Sequence, residues 1–143
     1  MRELKLDRDT IVVYTSDNGP GPGGSALPLR GRKLSTYEGG LRVPCIVWGP
    51  GRAAGGQVCR ELATSMDFYT TFAKLAGASL PSDRVIDGRD IGLLLTEPTT
   101  QKSPHDAFFY HGALGELAAV RSGQWKLFLN PQPVLYDLEA DVG

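Results

Sequence analysis

The chain has 143 residues, of which 41% are hydrophobic and 22% are charged, and its formal net charge is −1. This balance is typical of a folded globular chain, because disordered chains have fewer apolar residues and a larger net charge. The charge balance argues against a nucleic-acid or membrane-surface binder, because such proteins normally have a strong excess of basic residues. No apolar run approaches the roughly 18 residues of a membrane-spanning helix.

The first half of the chain has the pattern of an α/β protein. Thr10–Thr15 is a continuously apolar, β-branched run, which predicts a strand buried on both faces as in a parallel sheet, and residues 44–48 repeat the pattern. The residues between them, 16–40, are rich in glycine, proline and polar side chains. They are predicted to form one long loop, and a loop of this length inside a compact domain is typically functional.

A helical period begins at Ser65, from which apolar residues recur at spacings of three and four. It predicts a helix with Ser65 as its N-cap and Gly77 as its C-terminal stop, and a shorter helix is predicted within residues 87–95. Beyond residue 99, closely spaced apolar runs predict a small antiparallel sheet with Ser122-Gly123 as a two-residue hairpin loop. The predicted strands are residues 107–111, 117–121, 124–129 and 134–138.

A soft domain boundary is predicted near residues 97–104, where the sequence EPTTQKSP has the composition of a linker. Residues 1–98 would then form an α/β segment that carries the long loop, and residues 99–143 would form the small antiparallel subdomain. No internal repeat is visible.

Asp17 and Asn18 follow the first predicted strand, at the position where open α/β sheets collect ligand-binding residues. Asp-Asn-Gly is also a common turn sequence, because asparagine and glycine tolerate positive φ. In the functional interpretation, the carboxylate and amide oxygens contribute to a hard divalent cation such as Ca²⁺ or Mg²⁺. The other ligands of such a cation would have to come from elsewhere, and the dipeptide alone leaves both interpretations open.

The same loop region concentrates positive charge around a single acid, Glu38. Four basic residues minus this one acid give a local charge of +3; they are Arg30, Arg32, Lys33 and Arg42. Such a cluster is commonly just a solvated loop. Because it shares a loop with the candidate cation ligands, it could also bind an anion such as a sulfate or phosphate ester.

The two cysteines, Cys45 and Cys59, are too few for a disulfide scaffold and lack the Cys/His companions of a zinc site. Cys45 lies within an apolar run and is predicted to be a buried small hydrophobe, whereas nothing decides the environment of Cys59. Four aromatic residues have spacings that predict core packing: Tyr69, Phe72, Trp125 and Phe128.

Six segments carry a resemblance that composition cannot reveal. They are TSDNGP at 15–20, LRGRKLSTYEGGLRVP at 29–44, SMDFYTT at 65–71, DGRD at 87–90, AVRSGQWKL at 119–127 and LYDL at 135–138. In order and spacing they resemble the C-terminal half of the sulfatases related to arylsulfatases. The resemblance covers nearly the whole chain.

This resemblance implies an α/β fold: the C-terminal part of an alkaline phosphatase-like mixed sheet, followed by a small antiparallel β-sheet with a packed helix. It implies sulfate-ester hydrolysis in which Asp17 and Asn18 ligate a divalent cation, usually Ca²⁺, and Lys33 contacts the sulfate as a catalytic and substrate-binding residue. His111 would lie at the rim of the substrate pocket, although a structural role for it is equally open. Glu38 would pair with a loop arginine rather than act as a base.

The sequence also departs from that family. The nucleophile of that family is a formylglycine made from the Cys or Ser of a Cys/Ser-x-Pro-x-Arg motif. This motif is absent here, and neither Cys45 nor Cys59 lies in such a sequence context. The aspartate pair that completes the family's cation site is absent too. We therefore expect a C-terminal fragment that is inactive alone and whose partner is the missing N-terminal part of the same polypeptide.

The substrate would be a small-molecule or glycan sulfate ester, and family habit suggests export to the periplasm, the lysosome or the exterior. Two alternatives stay open at this level. One is a phosphate or phosphonate ester hydrolase of the same superfamily, and the other is a non-catalytic standalone module.

Overall fold

The computed structural model describes residues 1–143 and contains a two-stranded sheet, a four-stranded sheet and short helices. The strands are β1 (Val12–Thr15), β2 (Cys45–Trp48), β3 (Phe108–His111), β4 (Leu117–Ser122), β5 (Trp125–Phe128) and β6 (Val134–Asp137). The helices are a 3₁₀ turn (Asp7–Asp9), α1 (Glu38–Leu41), α2 (Asp67–Leu75) and α3 (Gly92–Thr96). This mixture confirms the predicted α/β class. None of the helices combines the length and apolarity that crossing a bilayer requires.

β1 and β2 confirm the two strands predicted in the first half, and they pair with each other. The prediction that they are buried on both faces is wrong, because Tyr14 is 70% exposed and Ile46 is 62% exposed. Cys45 is exposed as well, so its predicted burial is also wrong. The reason is that no third strand joins this sheet. The loop between the two strands contains one regular element, the single turn α1.

α2 begins one residue later than predicted, because its N-cap is Met66 rather than Ser65. Its predicted end is confirmed: Gly77 has a φ of +68°, and its N–H donates to the carbonyl of Lys74 while Ala78 donates to Ala73. This pair of hydrogen bonds is the Schellman arrangement of helix ends. α3 forms at the end of the predicted short helix.

The core predictions for Tyr69 and Phe72 are wrong, because these side chains on α2 are 54% and 38% exposed. α2 buries a polar stripe instead, formed by Asp67, Thr70 and Thr71. The stripe is stable because its groups are paired: the Thr70 hydroxyl donates to the Gly88 carbonyl, and the Thr71 hydroxyl accepts from the Ile91 N–H at 2.9 Å.

The C-terminal sheet is antiparallel in the order β3-β4-β5-β6, which confirms the four predicted strands. Ser122 pairs with Trp125, so the two-residue loop is Gly123-Gln124 rather than Ser122-Gly123, with Gly123 at φ +54°. The strand alternation buries Phe128, as predicted. Trp125 points the other way and is 48% exposed, so its predicted core position is wrong.

The chain forms two compact units, and both are discontinuous in sequence. The first comprises residues 1–14 and 46–105, and the second comprises residues 15–45 and 106–143. The boundary predicted at 97–104 lies close to the end of the first unit. The long loop, however, belongs to the same unit as the C-terminal sheet, an arrangement that no single cut along the sequence can describe.

Candidate functional site

An open groove of about 940 Å³ lies within the second unit. Its wall is formed by residues of the long loop, with Val142 from the C-terminal end of the chain. Asp17, Asn18 and Lys33 all line it, so the structure brings these three candidate residues onto one surface. His111 does not line it, and its Nδ1 lies 3.0 Å from the carbonyl oxygen of Gly115.

The three candidate side chains are available to a ligand. Asp17 and Lys33 are exposed and Asn18 is half-buried, and none of these side chains forms a hydrogen bond or ion pair within the chain. Backbone contacts hold their segments in place. The Lys33 N–H donates to the carbonyl of Pro20 at 3.1 Å, which ties the lysine segment to the residues that follow Asn18.

The basic residues of the loop have different environments. The guanidinium of Arg30 stacks on the Tyr37 ring at 4.2 Å and contacts the Tyr136 hydroxyl at 3.4 Å, which makes it a packing residue. Arg42 lines the groove and lies 3.7 Å from the Glu38 carboxylate. Arg32 is exposed and does not line the groove. The positive wall of the groove therefore consists of Lys33 and Arg42.

The single turn α1 lies between the two loop segments that carry the candidate residues. Gly40 accepts a hydrogen bond at 2.8 Å from the N–H of Gly19, which directly follows Asn18. Gly39 donates one at 2.8 Å to the carbonyl of Arg30, three residues before Lys33. The contacts are so close that a Cβ on Gly19 would lie 1.9 Å from the Gly39 carbonyl oxygen. The spacing of the site thus depends on glycines here.

Glu38, the first residue of α1, is 6% exposed and is surrounded by cations. Its Oε1 accepts from Lys126 Nζ at 2.8 Å, and its Oε2 lies 3.6 Å from Arg121 and 3.7 Å from Arg42. The expectation that Glu38 pairs with a loop arginine is confirmed by Arg42. Sequence reasoning missed the closest partner, Lys126.

A signal for Lys126 was present in the strand alternation, because it lies on the same face of β5 as the core residue Phe128. A lysine at such a position must be paired, since an isolated buried ammonium is too costly. Burial lowers the pKa of Lys126, and the hydrogen bond with Glu38 offsets part of that effect.

The donor chemistry of Asp17 and Asn18 fits a hard divalent cation, because both offer oxygen ligands on one wall of the groove. The chain has no group of three or more His, Cys, Asp or Glu residues that could hold a metal ion. Since Ca²⁺ takes about six to eight oxygen ligands, these two residues fit as part of a coordination shell.

Comparison with known proteins finds sulfatases both by sequence and by structure. The family model described as Sulfatase matches residues 1–78. The chain is 44% identical over 135 residues to N-acetylgalactosamine-6-sulfatase of Mus musculus and 45% identical over 140 residues to steryl-sulfatase of Mus musculus. These alignments cover 90% and 88% of the chain.

Among solved structures, the chain is similar to a sulfatase from Pseudoalteromonas sp., with a TM-score of 0.85 and 28% identity over 98% of the chain. The chain covers 33% of that protein. It spans 25% and 22% of the two mouse relatives, so it corresponds to about a quarter of their length.

Proposed function

Because the chain belongs to the sulfatase family, we propose that the protein containing it hydrolyses organic sulfate esters. The observation that carries the proposal is the groove, where two oxygen ligands and an unpaired lysine share one wall. In the reaction, the ester S–O bond breaks, water supplies an oxygen to sulfur, and the alcohol leaves with a proton. Every species on this path is anionic at the sulfuryl group, which suits a site with cationic side chains.

Lys33 is the catalytic residue of this chain in the proposal. Its exposed ammonium carries no internal partner that a substrate would have to displace. It would donate hydrogen bonds to the sulfuryl oxygens or the leaving oxygen, where negative charge develops as the S–O bond breaks. Arg42, already engaged with Glu38, adds positive potential at the groove wall.

Asp17 and Asn18 would hold a divalent cation, Ca²⁺ in the first instance, through a carboxylate and an amide oxygen. Such a cation, when bound, supplies positive charge that neutralises and orients the sulfate group. The remaining ligands and the formylglycine nucleophile would come from a part of the polypeptide outside these 143 residues. Neither cysteine of this chain lies in the sequence context from which formylglycine is made.

The substrate class is broad in this proposal. One relative is named for a sulfated amino sugar and another for steryl sulfates. An aryl sulfate such as p-nitrophenyl sulfate is therefore a suitable first substrate, because it tests sulfate-ester cleavage without assuming a sugar or a sterol.

The test is a kinetic comparison in the complete polypeptide that carries these residues. We expect Lys33→Ala to lower kcat/KM for p-nitrophenyl sulfate by about 100-fold or more, the magnitude typical of a lost charge-stabilising donor. Arg32→Ala is the matched control: this neighbouring cation is exposed but does not line the groove, so its kcat/KM should change little. An unchanged kcat/KM for Lys33→Ala would disprove the role of Lys33.

The cation and the reaction class have separate readouts. Asp17→Asn should weaken Ca²⁺ binding in calorimetry and raise the Ca²⁺ concentration that activity requires. Faster hydrolysis of p-nitrophenyl phosphate than of the sulfate would instead indicate a phosphate ester hydrolase. Turnover by the 143-residue chain alone would contradict the proposal that the nucleophile lies outside it.

A further inference from the structure

We propose that Lys126 is a positioning residue for the candidate active site. Through its buried ion pair with Glu38 it fixes α1, and α1 in turn sets the spacing between the segments of Asn18 and Lys33. The inference rests on the proposed function for its kinetic readout, while its structural readout is independent of any activity.

Lys126 is fully buried, with 0% relative exposure, and its ammonium has two oxygen partners. Nζ donates to Glu38 Oε1 at 2.8 Å and to the backbone carbonyl of Thr36 at 2.6 Å. It also lies over the rings of Tyr110 and Phe128, 4.1 and 5.3 Å from their centroids. A buried ammonium is tolerated only with good geometry to its partners, so Lys126 specifies where these oxygens must lie.

The two oxygens that Lys126 binds belong to Thr36 and Glu38, the residues directly before and after Tyr37 at the N-terminal end of α1. One ammonium therefore fixes both the position and the rotation of this turn. α1 needs such an external restraint, because it has only four residues and no side-chain cap. A single helical turn has no stability of its own, since helix nucleation is unfavourable.

Displacement of α1 would be transmitted directly to both halves of the site. Gly40 is hydrogen-bonded to Gly19, next to Asn18, and Gly39 is hydrogen-bonded to Arg30 in the Lys33 segment. A Cβ on Gly39 would lie 2.4 Å from the Gly31 carbonyl oxygen, and one on Gly40 would lie 2.1 Å from the Ser35 carbonyl oxygen. Because these backbones are in such close contact, α1 cannot move toward the lysine segment without displacing it.

A contribution to stability alone would not explain an ion pair at this position. Replacing a buried ion pair by apolar residues of similar volume is often neutral or stabilising, whereas removing one partner is strongly destabilising. The pair of variants Lys126→Met and Lys126→Met/Glu38→Met can therefore separate stability from positioning. Methionine approximates the length of both side chains.

In the complete polypeptide, Lys126→Met should lower the Tm, because it leaves the Glu38 carboxylate buried without its closest partner. The double variant should recover most of that Tm, yet we expect its kcat/KM for p-nitrophenyl sulfate to stay at least 10-fold below wild type. Lys74→Met, which breaks an exposed ion pair with Asp90, is the control and should leave kcat/KM unchanged. Recovery of both Tm and kcat/KM in the double variant would overturn the positioning role.

Hydrogen exchange supplies the readout that does not depend on activity. In the double variant at recovered Tm, the amides of Gly19 and Gly39 should exchange at least 10-fold faster than in wild type. The Gly19 amide would lose its acceptor on α1, the Gly40 carbonyl, and the Gly39 amide, which itself belongs to α1, would move away from the Arg30 carbonyl. Unchanged exchange at both amides would overturn the inference. A wild-type protein that cleaves no sulfate ester would refute the proposed function, and the exchange experiment would still decide the role of Lys126.

Discussion

His105 Nε2 lies 2.9 and 3.0 Å from the two carboxylate oxygens of Asp67, and the two side chains are 6% and 0% exposed. The same carboxylate accepts the backbone N–H of Thr64 at 2.6 Å and that of Arg89 at 2.8 Å. Asp67 therefore joins the first turn of α2 to three other segments of the first unit. Its charge is also well placed at the positive end of that helix.

Asp67→Ala should destabilise the protein by on the order of 3 kcal/mol, because it leaves two part-buried backbone donors and the buried imidazole without their acceptor. Denaturant unfolding of the complete polypeptide measures this loss. Asp87→Ala removes an exposed carboxylate of the same unit and should change the stability by no more than about 0.5 kcal/mol. Equal effects of the two variants would contradict the role given to Asp67.

Gly19→Ala should impair the candidate site, because the new Cβ would lie 1.9 Å from the Gly39 carbonyl oxygen and must push α1 away. A displacement of about 1 Å can cost about 100-fold in rate, so we expect at least a 10-fold loss of kcat/KM for an aryl sulfate. Gly55→Ala is the control, since nothing lies within 4 Å of its Cβ and Gly55 does not line the groove. If both variants retain wild-type kinetics, close packing at Gly19 does not control the site.

Tyr110 should ionise at a higher pH than an ordinary tyrosine, and this makes the folding stability depend on pH. Burial, aided by the nearby Glu38 carboxylate, raises the pKa of Tyr110 to about 12. The folded protein then keeps a proton that the unfolded chain loses near pH 10, so stability should fall as the pH rises from about 10 to about 12. The full effect of this group is roughly 3 kcal/mol.

The difference in absorbance near 295 nm between wild type and Tyr110→Phe would isolate this ionisation. The Tyr110→Phe variant should also lose the corresponding part of the decline in stability at high pH. A Tyr110 transition centred near pH 10 would show that burial does not control its proton.

The sequence was sufficient where a local pattern has one structural solution. Short, closely spaced apolar runs located the four strands of the C-terminal sheet, and Gly77 marked the end of α2 because only a residue that tolerates positive φ fits there. Burial was harder to predict. Tyr69 and Phe72 have helical spacing but face solvent, because the Thr70 hydroxyl donates to Gly88 and the Thr71 hydroxyl accepts from Ile91, which orients the polar side of α2 inward.

For the candidate site, the sequence supplied the predictions: two candidate oxygen ligands and a candidate lysine in one loop, and a family resemblance along nearly the whole chain. Only the tertiary structure decided which residues share a surface. It placed Lys33 on the groove wall with Asp17 and Asn18, committed Arg30 to packing, and brought Lys126 to Glu38 across 88 positions of sequence. The physical reason is that a charged side chain can be buried only beside a partner of opposite charge. For Lys126 that partner is distant in the sequence, so no local pattern identifies it.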